Sequence, residues 1–134
     1  MSNPSDTDTI HDHVLPASSR DDALFPHPTR DLARRREHRA PESHQAFLEF
    51  SKQVFAPGAL DARTKQLIAV AVAHVTQCPY CIRAHTKAAL RHNASEYELM
   101  EAIWVAAEMR AGAAYAHSAL ALDTIEELTG KQGA

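Results

Sequence analysis

The residues best suited to chemistry are Cys78, Cys81 and His85, in the run Cys78-Pro79-Tyr80-Cys81-Ile82-Arg83-Ala84-His85. Proline is favoured at the first position of a helix, where its missing N–H would have no partner. A helix starting at Pro79 puts Cys78 at the N-cap and Cys81 at the third helical position. Unpaired backbone N–H groups and the positive end of the helix dipole then favour thiolate over thiol. The short spacing lets the two sulfurs form a disulfide and open it again. His85 follows Cys81 by one helical turn, shares its face, and can hold or return its proton. These groups support a redox cycle. A thiolate attacks a peroxide and becomes a sulfenic acid, the second thiol condenses with it, and an external dithiol reopens the disulfide. The same pair could instead attack a disulfide in another protein.

Other readings of the run remain open. Cys78 and Cys81 are compatible with inert, small core residues. With His74 or His117 as a fourth ligand, Cys78, Cys81 and His85 could hold zinc. Structural zinc sites usually draw their ligands in two separated pairs, and no second pair is present. A c-type haem site is excluded, because position 82, directly after the second cysteine, is isoleucine.

The elements that would carry these groups read as helices. Phe47, Leu48, Phe50, Val54 and Phe55 have helical spacing over 43–55, and Pro57-Gly58 ends that run. Asp61 is a candidate N-cap for a helix to about Gln77, with Leu67, Ile68, Ala71, Val72 and Val75 on a 3.6 period. The helix from Pro79 is predicted to reach about His92. Ser95 and Glu98 have capping-box spacing for the next, which carries Leu99, Met100, Ile103 and Trp104. Ala111-Gly112-Ala113 is predicted to interrupt it, with a fifth helix following through Leu128 and a stop at Thr129-Gly130. No segment alternates with period 2, so the expected class is all-α.

The chain has 134 residues, 45% hydrophobic and 23% charged, which suits one globular domain. Residues 1–29 are acidic, rich in proline and poor in large apolar groups, and are predicted to be a flexible arm. Residues 30–42 turn basic and read as a linker, with a short helix ending before Pro41. The division expected is thus 1–42 for arm and linker and 43–134 for the helical domain. A net charge of -3 argues against a nucleic-acid footprint. No apolar run is long enough to cross a bilayer, and Met1 to Arg20 lack the basic start and apolar stretch of a secretory signal. The expected compartment is the cytoplasm.

Residues 60–122 resemble the core domain of the AhpD-like alkylhydroperoxidase and carboxymuconolactone decarboxylase superfamily. The resemblance is carried by Leu-Asp-Ala-Arg-Thr-Lys-Gln-Leu-Ile-Ala-Val-Ala-Val-Ala from Leu60, Cys-Pro-Tyr-Cys-Ile-Arg-Ala-His-Thr-Lys-Ala-Ala-Leu from Cys78, and Glu-Ala-Ile-Trp-Val-Ala-Ala from Glu101. It implies an AhpD-like helical bundle that forms homo-oligomers, commonly trimers or hexamers. It also implies peroxidase activity, with Cys81 attacking peroxide, Cys78 resolving and His85 in the proton relay. Partners implied are a hydroperoxide or protein disulfide as substrate, a lipoyl-bearing dithiol protein as reductant, and a peroxiredoxin. No resident cofactor or metal is implied. The decarboxylase branch generally lacks the cysteine pair, so the redox branch is the expected one.

AhpD-type members carry a glutamate as proton acceptor where this chain has Gln66, and AhpD itself has histidine where this chain has Tyr80. A carboxamide can position an imidazole but takes no proton at neutral pH. Glu108, a carboxylate inside a mostly apolar run, is the first candidate for the missing base, and Glu101 could share its face. His74 and His117 are further candidates, each also readable as a hydrogen-bonded packing residue.

Overall fold

The computed structural model describes residues 24–130, so the acidic arm lies outside the described residues over 1–23. The described residues form six α-helices and no strand: α1 (Arg30–Arg39), α2 (Pro41–Phe55), α3 (Ala62–Val75), α4 (Pro79–Arg91), α5 (Glu96–Ala116) and α6 (Ser118–Thr129). The class is all-α, as the periodicity predicts.

The basic linker folds into α1. The Thr29 hydroxyl caps it, accepting the Leu32 N–H at 3.2 Å, and Asp31 in the first turn and Arg36, His38 and Arg39 in the last oppose the helix dipole. α1 buries no residue. Pro41 is the first residue of α2, slightly ahead of the Ser43 expected from the apolar pattern. Extended backbone at Ala56 ends α2 before Pro57, which cannot continue a helix. Lys65, on α3, donates to the carbonyls of Val54 (2.8 Å) and Ala56 (2.6 Å) and so pins the end of α2 to the body. These are backbone acceptors that a helix terminus leaves without partners.

α3 is the hub, packing chiefly against α4 and α5. Its alanines let neighbours approach closely: Ala73 is buried, as is Ala106 on α5. Val70, Ala89, Ala94 and Leu99 form the core cluster, with Leu67 and Ile103 packed against it. Arg63 on α3 and Glu98 on α5 pair at 3.0 Å across the same end of the bundle.

Two tight connections set the helix order. Asp61 Oδ1 accepts the Thr64 N–H at 2.7 Å and starts α3. α3 ends with Gln77 in the left-handed region (φ 53°) and the Cys78 N–H bonded to the Ala73 carbonyl. This is the Schellman arrangement, usually made with glycine. Asn93 (φ 62°) ends α4 the same way, with the Ala94 N–H on the Ala89 carbonyl. Ser95 and Glu98 then form the capping box of α5.

One boundary differs from the sequence reading. α5 does not break at Ala111-Gly112-Ala113; it runs on to Ala116, and the junction with α6 is at His117. One glycine in a helix costs only about 1 kcal/mol against alanine, and alanines flank this one. A β-carbon at position 112 would stand 3.5 Å from Glu108 Oε1, an ordinary van der Waals contact, so nothing in the local packing demands the glycine. Gly130, in the left-handed region, terminates α6. No described helix is long and apolar enough to cross a membrane.

Candidate active site

The short Schellman link places Cys78 at the N-cap of α4, Pro79 at its first helical position and Cys81 within its first turn. Cys78 Sγ accepts the Cys81 N–H at 3.3 Å, taking the part usually played by a serine or aspartate oxygen. Both thiols are free and half-buried. The Cys81 thiol donates to the Cys78 sulfur, and this bond, with the Cys81 and Tyr80 N–H groups, lowers the Cys78 pKa. The same bond raises that of Cys81, helped by burial and by the charge on Cys78. The two sulfurs thus hold one readily lost proton and one retained proton.

His85, one turn on from Cys81, bonds through Nδ1 to Gln66 Oε1 at 2.8 Å. A carboxamide oxygen can only accept, so Nδ1 carries the hydrogen and Nε2 keeps its lone pair. Burial lowers the His85 pKa, so the imidazole stays neutral at pH 7. Gln66 is the one buried polar side chain among the described residues. The Phe55 ring, from the pinned end of α2, lies against the imidazole with centroids 5.0 Å apart and planes tilted by 30°. Cys81 and His85 line a cavity of about 390 Å³ whose other walls are mainly apolar, among them Val54, Phe55, Ile68 and Val72. Such an open, mainly apolar cavity accepts an apolar group next to the thiol.

The remaining sequence candidates lie elsewhere. Glu108 and Glu101 are exposed on α5 and line no part of this cavity, so the structure does not bring Glu108 to His85 as a replacement base. His74 is committed to its own helix, its Nδ1 lying 2.7 Å from the Val70 carbonyl. His117 is exposed at the α5–α6 junction. Tyr80 meets Phe25 edge-on rather than facing His85. The zinc reading finds no ligand set: among the described residues no three His, Cys, Asp or Glu side chains converge as metal ligands. Lys65 and Phe55 are the site components sequence reasoning missed. Phe55 was legible only as one apolar position in a helix, and nothing local marked Lys65.

The arrangement matches a known architecture. The model of the carboxymuconolactone decarboxylase family matches residues 41–124, most of the helical body. The chain belongs to the carboxymuconolactone decarboxylase family. Among relatives, it is 68% identical over 85 residues to "Uncharacterized protein 4 in cox locus" of Paracoccus denitrificans, covering 63% of this chain and 77% of that one. An uncharacterized Cupriavidus necator protein is 41% identical over 83 residues, 60% of this chain and 74% of that one. Among solved structures, a carboxymuconolactone decarboxylase family protein from Legionella pneumophila is 33% identical with a TM-score of 0.58, covering 72% of this chain and 87% of that one. A protein from Methanobacterium thermoautotrophicum is 37% identical with a TM-score of 0.59, covering 62% and 93%. The family thereby includes the resemblance read from the cysteine run and its flanking helices.

Proposed function

We propose that this family member is a thiol-dependent peroxidase, reducing hydroperoxides through the Cys78–Cys81 dithiol with His85 moving the proton. The observation that carries the reading is the unequal thiol pair, whose protonated member, Cys81, shares an apolar cavity with a neutral imidazole. His85 Nε2 takes the Cys81 proton. The thiolate attacks the outer peroxide oxygen, the O–O bond breaks, and the departing alkoxide takes the proton back from the imidazolium. Cys81 is then a sulfenic acid and the peroxide an alcohol. Cys78, already inclined to the thiolate, attacks that sulfur and expels hydroxide, which is protonated to water. The sum is two thiols and one hydroperoxide giving one disulfide, one alcohol and one water.

An external protein dithiol closes the cycle. Its thiolate attacks Cys78 and releases Cys81, and its second thiolate displaces Cys78, leaving the partner as the disulfide. The low pKa of Cys78 makes it a good leaving group in that last step. A cytoplasmic setting, where thiols are kept reduced, suits this cycle. The working form in this reading is a homo-oligomer, because Trp104 is 70% exposed in the single chain, beside Val105 and Met109.

Thiol counting before and after one equivalent of an organic hydroperoxide tests the reading. The expected result is loss of both thiols, with a Cys78–Cys81 linkage located by mass spectrometry. Retention of the thiols, or full peroxide turnover by a Cys81→Ser variant, overturns it. Lactone decarboxylation, a proton transfer needing no thiol, would instead survive replacement of both cysteines.

A further inference from the structure

Two aromatic side chains from ahead of α3 meet residues of α4, the helix that carries the thiols. Phe55 rests on His85, as described above. Phe25, shortly ahead of the Thr29 cap, meets Tyr80 with ring centroids 6.1 Å apart and planes at 89°. Tyr80 lies between Pro79 and Cys81 in the first turn of α4, so the Phe25 ring sits on a residue of the turn that carries both sulfurs. Its hold there is slight. Phe25 is still 41% exposed, Leu24 beside it is 86% exposed, and α1, which follows, buries nothing. One edge-to-face aromatic pair is weak enough to open and re-form readily. Phe25 also lies ahead of residues 41–124, so it adds to the domain that the family shares.

We propose that Tyr80 and the adjoining Cys78-Pro79 turn form the docking surface for the protein dithiol, and that Phe25 occupies this surface in the resting chain as an internal competitor. This inference rests on the dithiol cycle above. A hydroperoxide reaches Cys81 through the cavity under Phe55 and never needs the Tyr80 face. A protein thiol has to bring its own backbone against the turn, so it displaces the 24–28 segment and sets an apolar or aromatic side chain of its own on Tyr80. The geometry therefore separates the two half-reactions. Peroxide enters through the cavity beside Phe55, and the reductant engages the Tyr80 turn after moving Phe25.

The test uses the full chain and its Phe25→Ala and Phe25→Tyr variants. Cys78 is labelled with N-ethylmaleimide and with a maleimide carried on a polyethylene glycol chain, the site being read by mass spectrometry. Phe25→Ala is expected to leave the small reagent's rate unchanged and to raise the bulky reagent's rate about 2- to 10-fold, the factor corresponding to one aromatic pair. Phe25→Tyr, which keeps the ring, is expected to behave as the parent. Reduction of the pre-formed disulfide by a dihydrolipoyl-bearing carrier domain should accelerate in Phe25→Ala by a similar factor, with dithiothreitol unaffected. An unchanged ratio of bulky to small labelling overturns the inference, and so does slower reduction by the carrier domain, which would make Phe25 part of the docking contact. If the labelling changes as expected but no variant consumes peroxide, the competitor role stands and the peroxidase reading falls.

Discussion

In the proposed cycle His85 is the residue on which the chemistry turns, and its state follows from two neighbours. Burial pushes its pKa down, and the Gln66 oxygen fixes the hydrogen on Nδ1. A base must be unprotonated to work. The acid limb of the peroxide rate profile should therefore lie below the usual histidine value of about 6.5. A carboxylate at position 66 would favour the imidazolium, so Gln66→Glu is expected to move that limb up by about 1–2 pH units. Gln66→Leu removes the tautomer lock and should lower the rate about 10-fold at neutral pH, the scale of losing an outer hydrogen bond to a working imidazole. A pH series of initial rates checks both, and an acid limb indifferent to the residue at 66 would show that Gln66 does not govern His85.

The sulfurs give a second expectation at this scale. Cys78, with its lowered pKa, should react with iodoacetamide at lower pH than a free thiol of pKa about 8.5, and Cys81 should lag behind it. Because the bond to Cys78 is the largest cause holding Cys81 up, a Cys78→Ser variant should move the Cys81 labelling limb down in pH. Labelling of both sites in step would contradict the unequal pair. The cysteines and His85 were legible in the sequence because their spacing within one helix decides how they meet, whereas Gln66 stood out only through the family resemblance. Phe55 and Lys65 were not, since their roles depend on where the end of α2 lands. Glu108 misled because α5 is apolar on nearly every side, so a charge within it says little about which side is buried.

At the scale of elements, the starts of α3, α4 and α5 were readable from Asp61, Cys78-Pro79 and Ser95-Glu98. Caps are local chemistry, fixed by side chains a few residues apart. The end of α5 was not readable, because the glycine penalty is small and the alanines on either side favour helix. Left-handed backbone at Gln77 was equally invisible, since glutamine carries no such signal. That strain predicts a gain. Gln77→Gly should raise stability by about 1 kcal/mol, because glycine adopts positive φ without steric cost. Ser95→Ala should lower it by about 1 kcal/mol through loss of the cap. Denaturant titration at one fixed protein concentration measures both. A destabilised Gln77→Gly would mean that the glutamine side chain contributes more than its backbone costs.

At the scale of the whole molecule, the single chain is short of core. Only Val70, Ala73, Ala89, Ala94, Leu99 and Ala106 are buried apolar residues among those described, and four of the six are alanine. Meanwhile Trp104, Val105 and Met109 on α5 and Leu120, Ile125 and Leu128 on α6 stand in solvent. A helix apolar on most sides normally lies inside a larger body. α6 buries nothing of its own, and an isolated helix of its length is marginal in water. Both difficulties resolve if copies of the chain cover one another through α5 and α6. Sedimentation velocity should then show a homo-oligomer, and the apparent Tm should rise with protein concentration, because association stabilises only the folded chain. Trp104→Glu puts an unpaired charge into the proposed contact and should weaken it by about 2 kcal/mol or more, roughly 30-fold in Kd per interface. The dissociated variant should unfold at lower temperature than the parent even though the substituted side chain is largely exposed within its own chain. A parent that sediments as a monomer, with a Tm independent of concentration, would mean that the few core residues around Val70 suffice alone.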